Sequence, residues 1–242
     1  MSLLTIANEV ADVTKGPRPV TIAGNTDPAA QNVLAIINRV GNRLMLSYAW
    51  NILRKEHTFT ASGNETALTA ANMPSDFDRF IPETFWDRDT NNLLSGPVSP
   101  VEWNGLKVQT FSSQNKKFIF RGGAVLTAPT FASGVNLAFE YVSKNWCDIA
   151  AGTTPKAAFT IDTDIGIIDE GLIAYGAIFE WLAAEGQPTQ MAAALYKDRF
   201  DTLANNDAAT ADILVTADIF SQNSRHFEGA PKASRASYGG DF

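Results

Sequence analysis

The chain reads Asn72-Met-Pro-Ser-Asp-Phe-Asp-Arg-Phe-Ile-Pro82 and, further on, Phe139-Glu-Tyr-Val-Ser-Lys-Asn-Trp146. Around these two stretches apolar and polar residues alternate with a period of two, which is typical of β-strands. The same region is rich in aromatic side chains but has no recognisable set of reacting groups. The pattern therefore indicates a β region that packs and binds rather than one that catalyses a reaction.

Two helices are predicted before the β region. Ser2 suits the N-cap of a short helix that Gly16-Pro17 ends. A longer helix begins at Asp27 and Pro28, a capping residue followed by a proline at the first helical position. Its apolar stripe continues at helical spacing to about Leu53.

Two more helices are predicted after the β region. The first follows Asp164 and stops near Gly186, and the second follows Pro188. Beyond Asn205 the helical periodicity weakens. We therefore expect residues 207–242 to form an extended C-terminal arm.

These elements predict the fold class α+β. A four-helix bundle is expected from residues 1–54 and 162–206, with a small antiparallel β-sandwich or barrel domain inserted at residues 55–161. Five to seven strands are expected in this domain. Its clearest hairpin turns at Gly122-Gly123, with residues 135–142 as the adjoining strand.

Composition places the chain among ordered globular proteins. It has 242 residues, of which 45% are hydrophobic and 19% are charged. No apolar run approaches the roughly 20 residues of a membrane span, and the first residues lack the basic region of a signal peptide. We expect a product made in the cytoplasm. The single cysteine, Cys147, excludes an internal disulfide and a cysteine-based zinc site.

The net charge of −7 disfavours general binding to nucleic-acid phosphates. The charge is uneven along the chain. Residues 221–242 hold three basic and two acidic side chains, a net charge of +1, so the other 220 residues carry −8. An acidic body with a mildly basic tail suggests that the tail binds elsewhere.

Three Asp-x-Asp pairs are the candidates for cation binding: Asp76/Asp78, Asp87/Asp89 and Asp162/Asp164. In extended chain such a pair projects to one side and could hold a divalent cation. None has the complete spacing of a calcium loop. We expect these carboxylates to cap helices and end strands, and we predict no metal and no cofactor.

Other sets of catalytic residues are missing. His57 and His226 are the only histidines, and neither a nucleophile elbow nor a nucleotide-binding P-loop is present. Exposed Trp86 and Trp103 could stack on sugars, although tryptophans of this kind are more often core or interface anchors. A platform for single-stranded nucleic acid needs basic neighbours, and the neighbours here are acidic.

Several segments resemble the head-to-tail adaptor (connector) proteins of bacteriophages and prophages, which are similar to tail tubular protein A of short-tailed phages. The resemblance covers most of residues 1–205. It rests on the stretches that begin at Ala29, Met73, Gly96, Phe139 and Phe159. These motifs are structural rather than chemical.

The resemblance implies a helical bundle that bears a β domain and assembles as a ring of twelve subunits below the portal. The ring extends the DNA channel, lets double-stranded DNA pass without specific binding, and presents a platform to the next tail or nozzle protein. The C-terminal arm is expected to reach the portal. The predicted portal-binding residues are Arg225, His226, Phe227, Lys232, Arg235, Tyr238 and Phe242. The predicted subunit or tail interface is Phe85, Trp86, Asp87, Asn92, Leu94, Trp103, Gln114 and Lys116.

The sequence thus predicts a non-enzymatic virion structural protein located at the head–tail junction. Its partners are other copies of itself, the portal protein and the downstream tail protein, with no membrane. Two alternatives stay open. One is a tail-tube or tail-completion component that does not contact the portal. The other is a carbohydrate-binding tail protein that uses Trp86 or Trp103.

Overall fold

The structure is a computed structural model that describes the backbone of residues 1–108 and 116–226 and the side chains of residues 1–107 and 116–208. The helices are α1 (Leu3–Thr14), α2 (Pro28–Ser47), α3 (Pro100–Val108), α4 (Glu170–Ala184) and α5 (Gln190–His226). The strands are β1 (Arg54–Thr60), β2 (Thr66–Leu68), β3 (Phe77–Phe80), β4 (Trp86–Asp87), β5 (Asn92–Leu93), β6 (Lys117–Arg121), β7 (Ala124–Ala128), β8 (Asn136–Ser143), β9 (Cys147–Asp148) and β10 (Ile165–Gly166).

The predicted starts of the first two helices are confirmed, whereas the helix predicted to follow Asp164 begins only at Glu170, after strand β10. The Ser2 hydroxyl accepts a hydrogen bond from the Thr5 amide at 3.4 Å, at the start of α1. A carboxylate oxygen of Asp27 accepts one from the Ala29 amide at 3.2 Å, with Pro28 at the first position of α2. Both side chains satisfy backbone donors that have no partner inside their helix.

Helix α2 ends at Ser47, earlier than the predicted Leu53. Side chains satisfy the carbonyl groups at this end. The Trp50 indole N–H donates to the Leu44 carbonyl at 2.9 Å, and the Arg79 guanidinium donates to the carbonyls of Met45 and Tyr48. Because these side-chain donors replace the bonds of a further turn, the helix can stop before its apolar pattern does.

The prediction of a four-helix bundle is wrong. Helices α1, α2 and α4 pack against one another, and α4 is central, with Leu172, Ile173 and Ala177 fully buried. Helix α5 contacts this group through Tyr196, whose ring stacks on Phe179 at a centroid distance of 6.3 Å. None of residues 190–208 is buried. Because no α5 side chain among residues 190–199 is fully buried, the helical core closes with three helices.

The prediction of an extended arm is also wrong for residues 207–226, which continue α5 to His226; residues 227–242 lie outside the described range. By its contacts the chain divides into two compact units, residues 1–199 and residues 200–242, so the division falls inside α5. The first unit contains the three packed helices and the β region. The domain boundaries expected at residues 54, 161 and 206 stay predictions.

Three antiparallel sheets replace the single sandwich or barrel that the sequence predicts. The largest has the order β1-β8-β4-β5, with β3 also paired to β8. The second has the order β2-β7-β6, and the third pairs β9 with β10. The hairpin between β6 and β7 is confirmed, with Gly122 and Gly123 at φ values of 59° and 75°, a conformation that favours glycine.

Strand β8 is not the neighbour of that hairpin. It lies in the largest sheet, where Phe139 is the register partner of His57 in β1. Most β8 residues are buried on both faces of the sheet. As a central strand, β8 pairs with β1 on one side and with β3 and β4 on the other.

The two larger sheets share one aromatic core. Phe139 of β8 lies 5.6 Å from Phe85 and 6.2 Å from Phe120 of β6, measured between ring centroids. Phe85 in turn packs edge-on against Phe118 at 4.7 Å. Edge-to-face contacts at these distances are favourable arrangements for aromatic pairs. The aromatic residues of the β region are therefore mainly packing residues.

Candidate interface site in the β region

The hairpin formed by β4 and β5 carries several of the residues predicted at an interface. Its side chains alternate between the two faces of the sheet, as strand geometry requires. Phe85 and Asp87 point inward and are buried, whereas Trp86 between them is 38% exposed. Trp86 is the register partner of Leu93, which is 43% exposed. Two large apolar side chains therefore lie side by side on the outer face of an edge hairpin.

Carboxylates fix the shape of this hairpin. An Asp87 oxygen accepts from the amides of Asp89 and Thr90 at 3.0 and 3.1 Å. The Asp89 carboxylate accepts from the backbone amide and the side-chain amide of Asn136 at 3.0 and 2.9 Å. These bonds lower the pKa of Asp89. The pair Asp87/Asp89 thus holds the turn and attaches it to β8.

A cleft of about 430 Å³ opens beside the hairpin. Leu94 and Phe131 are buried and line it with apolar surface. Asp87 and Lys116 contribute the charged groups. The full lining is Asp87, Thr90, Asn92, Leu93, Leu94, Lys116 and Phe131.

Lys116 has an unusual environment in this cleft. Its ammonium nitrogen lies 3.5 Å from the centroid of the Phe131 ring, within the range of a cation–π contact. Burial lowers the pKa of Lys116, and the negative charge of Asp87 partly opposes that shift. The ammonium group is therefore partly removed from water and held by a ring rather than by a carboxylate.

The structure brings together four of the eight predicted interface residues, because Asp87, Asn92, Leu94 and Lys116 all line the cleft. Phe85, Leu94 and Trp103 are buried within the chain, and Trp86 and Asn92 are exposed. Gln114 lies outside the described residues. The assignment of all eight to a subunit or tail interface stays a prediction.

The predicted portal-binding residues lie at and beyond the end of α5. Arg225 and His226 are the last two residues of that helix, and their side chains are outside the described range. Phe227, Lys232, Arg235, Tyr238 and Phe242 also lie outside it. Their role stays a prediction.

The other two Asp-x-Asp pairs bond to protein donors. Asp76 accepts from the side chains of Lys55, Tyr141 and Ser143, and Asp78 pairs with Arg79 at 2.9 Å. In the second pair, an Asp162 oxygen accepts from the Ile22 and Ala23 amides at 2.9 and 2.7 Å. Asp164 is fully buried and pairs with Lys156 at 2.6 Å. Asp76 and Asp162 thus join distant segments of the chain, whereas Asp78 and Asp164 bond to residues close to them in sequence.

Sequence reasoning missed Phe131 and Leu93 as cleft residues. Phe131 follows Pro129 in a connection between strands, where no periodic pattern gives the direction of a side chain. Leu93 precedes the buried Leu94, and a pair of adjacent leucines does not reveal which one is exposed. The signal that could have identified Leu93 as exposed is its position opposite Trp86 in the hairpin, because cross-strand partners lie on the same face of a sheet.

A scan against protein-family models gives no match, and no curated protein sequence is significantly similar to this chain. Within residues 1–108 and 116–226, no helix combines the length and the apolar character that crossing a membrane requires.

Proposed function

We propose that the chain is a virion structural protein, a head-to-tail adaptor that forms a ring between the portal and the tail and extends the DNA channel. The observation that carries the proposal is helix α5. It has 37 residues, a length of about 56 Å, and no buried side chain over residues 190–208. Most helical stability in proteins comes from packing of an apolar face, so such a helix suits packing against another chain.

Exposed apolar side chains support the same proposal. Met191 and Leu195 of α5 are 75% and 48% exposed. Trp86 and Leu93 form the exposed pair on the hairpin. A subunit of a ring makes heterologous contacts with its two neighbours and therefore needs two different contact surfaces. The exposed apolar residues of the helix and of the β region would supply one surface each.

The charge of the chain suits a channel for DNA. Residues 1–220 carry a net charge of −8. Acidic walls repel phosphates, so a ring of these chains would let double-stranded DNA slide without trapping it. In this proposal the protein uses no cofactor and no metal, and it catalyses no reaction.

The partners in this proposal are other copies of the chain, in a ring of about twelve by the resemblance, the portal protein and the downstream tail protein. The basic and aromatic residues at 225–242 bind the portal, and they fold on binding. The hairpin around Trp86 contacts the adjoining subunit or the tail.

The test is to mix the purified chain with rings of its portal and to image the product. We expect a collar of extra density at one end of the portal ring. A chain that lacks residues 221–242 should keep its fold, as judged by its thermal unfolding, and should no longer co-sediment with portal rings. As a matched control, a full-length chain with residues 227–242 in scrambled order keeps the length and charge of the tail. Normal co-sedimentation of the truncated chain would contradict the portal-binding role.

A tail-completion component would assemble without the portal and would show no collar. A carbohydrate-binding role would depend on Trp86, because Trp103 is fully buried in the single chain. Glycan binding that is lost in Trp86→Ala would favour that role over the adaptor.

A further inference from the structure

Most of the cations whose side chains are described form ion pairs with carboxylates. Ten basic residues do so, including Lys55 with Asp76 and Arg199 with Asp169. Six have no carboxylate partner among the described residues: Lys15, Arg54, Lys116, Arg121, Lys144 and Lys197. Five of these six are exposed to water, whereas Lys116 is half-buried in the cleft.

Lys116 therefore lacks the solvation that the other unpaired cations keep. The Phe131 ring and the charge of Asp87 offset part of this loss. The neighbouring segment 109–115 contains no acidic residue in its sequence. A half-buried ammonium group that pairs with no carboxylate among the described residues can bind an anion by donating to it, because a charge-assisted hydrogen bond is stronger than a neutral one.

The other residues of the cleft restrict which anion fits. Asp87 brings a negative charge to the same cleft, and it repels a doubly charged phosphate more than a singly charged carboxylate. Leu94 and Phe131 offer apolar surface. The volume of about 430 Å³ lies in the range of small-ligand sites, about 300–1,000 Å³.

We propose that this cleft binds a ligand that carries a single carboxylate next to a nonpolar group. The carboxylate accepts hydrogen bonds from Lys116, and the nonpolar group packs against Leu94 and Phe131. Thr90 and Asn92 supply neutral hydrogen-bonding groups at the rim. The inference does not rest on the adaptor role, because it concerns the isolated chain and small ligands.

The test uses full-length chain labelled with ¹³C at the lysine Cε, with the Lys116 resonance identified by its loss in Lys116→Gln. The probe is N-acetyl-leucine, which has one carboxylate and a nonpolar side chain. Its neutral amide and inorganic phosphate are the comparison ligands. We expect a saturable shift of the Lys116 resonance with N-acetyl-leucine, and affinities at least tenfold weaker for the amide and for phosphate.

Lys117→Gln is the matched control, because Lys117 is the adjacent residue and pairs with Glu102 at 2.5 Å. Binding should survive this change and should be lost in Lys116→Gln. The proposal is overturned if the Lys116 resonance does not shift, if the amide binds as well as the acid, or if Lys116→Gln still binds the probe.

Asp87→Asn tests the selectivity separately, since asparagine keeps an oxygen that can accept the turn hydrogen bonds. We expect this variant to gain at least tenfold in affinity for phosphate. Unchanged phosphate affinity in a folded Asp87→Asn variant would contradict the assigned role of Asp87. Phosphate binding tighter than N-acetyl-leucine in the wild-type chain would overturn the assignment of a carboxylate ligand.

Discussion

The indole ring of Trp146 lies directly against Gly41. A Cβ atom at position 41 would sit 2.2 Å from Trp146 Cη2 and 2.4 Å from Cζ2. The same indole donates its N–H to the side-chain oxygen of Asn42 at 2.9 Å and is fully buried. This contact packs the segment after β8 against α2, and glycine is the residue that allows it.

Gly41→Ala should therefore destabilise the chain. The buried indole has no room to move, and such overpacking costs about 1–3 kcal/mol in the free energy of unfolding. Chemical denaturation followed by tryptophan fluorescence measures it. Gly105→Ala is the matched control, since no atom of the described residues lies within 4 Å of a Cβ there; in helix α3 it should stabilise by about 0.5–1 kcal/mol. Equal stabilities of the two variants would contradict the packing argument.

Asp164→Asn should be strongly destabilising. The buried carboxylate accepts from Lys156 at 2.6 Å and from the amides of Thr160 and Ile161 at 2.8 and 2.9 Å. Removing one partner of a buried ion pair costs about 3–5 kcal/mol. Urea denaturation checks this, with Asp12→Asn as a control that should change stability far less, because Asp12 pairs with Arg18 at the surface.

The lowered pKa of Asp164 also predicts that the stability of the fold depends on pH in the acid range. Burial alone would raise its pKa, but the bonds from Lys156, Thr160 and Ile161 outweigh burial and lower it from the ordinary value of 3.8. The unfolded chain therefore binds this proton first as the pH falls. The stabilisation is complete above the unfolded pKa and is lost as the pH falls through the lower folded value. Stability measured across this acid range should fall more steeply in the wild type than in Asp164→Asn.

His57 predicts a second pH effect, near neutrality. Its ring packs between Phe59 and Phe139 at 5.7 and 5.5 Å, and its Nε2 atom is buried without a partner among the described residues. Burial lowers its pKa from 6.5, with a partly opposing contribution from Asp76. As the pH falls below 6.5, the unfolded chain takes up a proton that the folded chain resists, so stability decreases.

Thermal unfolding followed by circular dichroism between pH 8 and pH 5 would measure this loss. His57→Gln should show a shallower decrease than the wild type over this range. His226→Gln, which changes the other histidine of the chain, should keep the wild-type slope. The interpretation fails if both variants lose the slope equally.

Cys147 should be unreactive in the folded chain. Its thiol is fully buried and lies 3.2 Å from the Lys156 carbonyl, and burial raises its pKa to about 12. The thiolate is the reactive form, so little of it exists near neutral pH. A thiol reagent such as Ellman's reagent should label one group per chain in denaturant and almost none in buffer. Rapid labelling of the native chain would contradict this burial.

Trp86 and Leu93 give a prediction that depends on the proposed ring. Changing Trp86 to Ala together with Leu93 to Ser should leave the single chain folded, because both side chains are substantially exposed. Ring assembly, measured by sedimentation velocity, should be weakened at least tenfold, since tryptophan is often a dominant interface residue. Val101→Ser is the control, an 83% exposed apolar residue elsewhere on the surface. Unaltered assembly of the double variant would contradict the placement of the hairpin at the subunit interface.

The starts of α1 and α2 and the tight hairpin could be predicted from the sequence because the interactions that set them are local. Ser2 and Asp27 bond to amides within a few residues, and Gly122-Gly123 suits a turn by its own conformational freedom. The failed predictions concern distant contacts. Helix α2 stops early because Trp50 and Arg79 occupy its end, and β8 pairs with β1 across about eighty residues.

An α+β chain in which helical segments flank an aromatic β region follows from the sequence alone, because periodicity and capping are properties of short segments. Tertiary packing limits the helical core to three helices, since no side chain of α5 among residues 190–199 is fully buried. It also decided which aromatic residues are core and which are surface. Phe85 and Trp86 are neighbours in sequence, and they differ because the sheet buries one face and leaves the other open. The cleft at Lys116 exists only because folding places Lys116 beside Phe131 and the hairpin of Asp87.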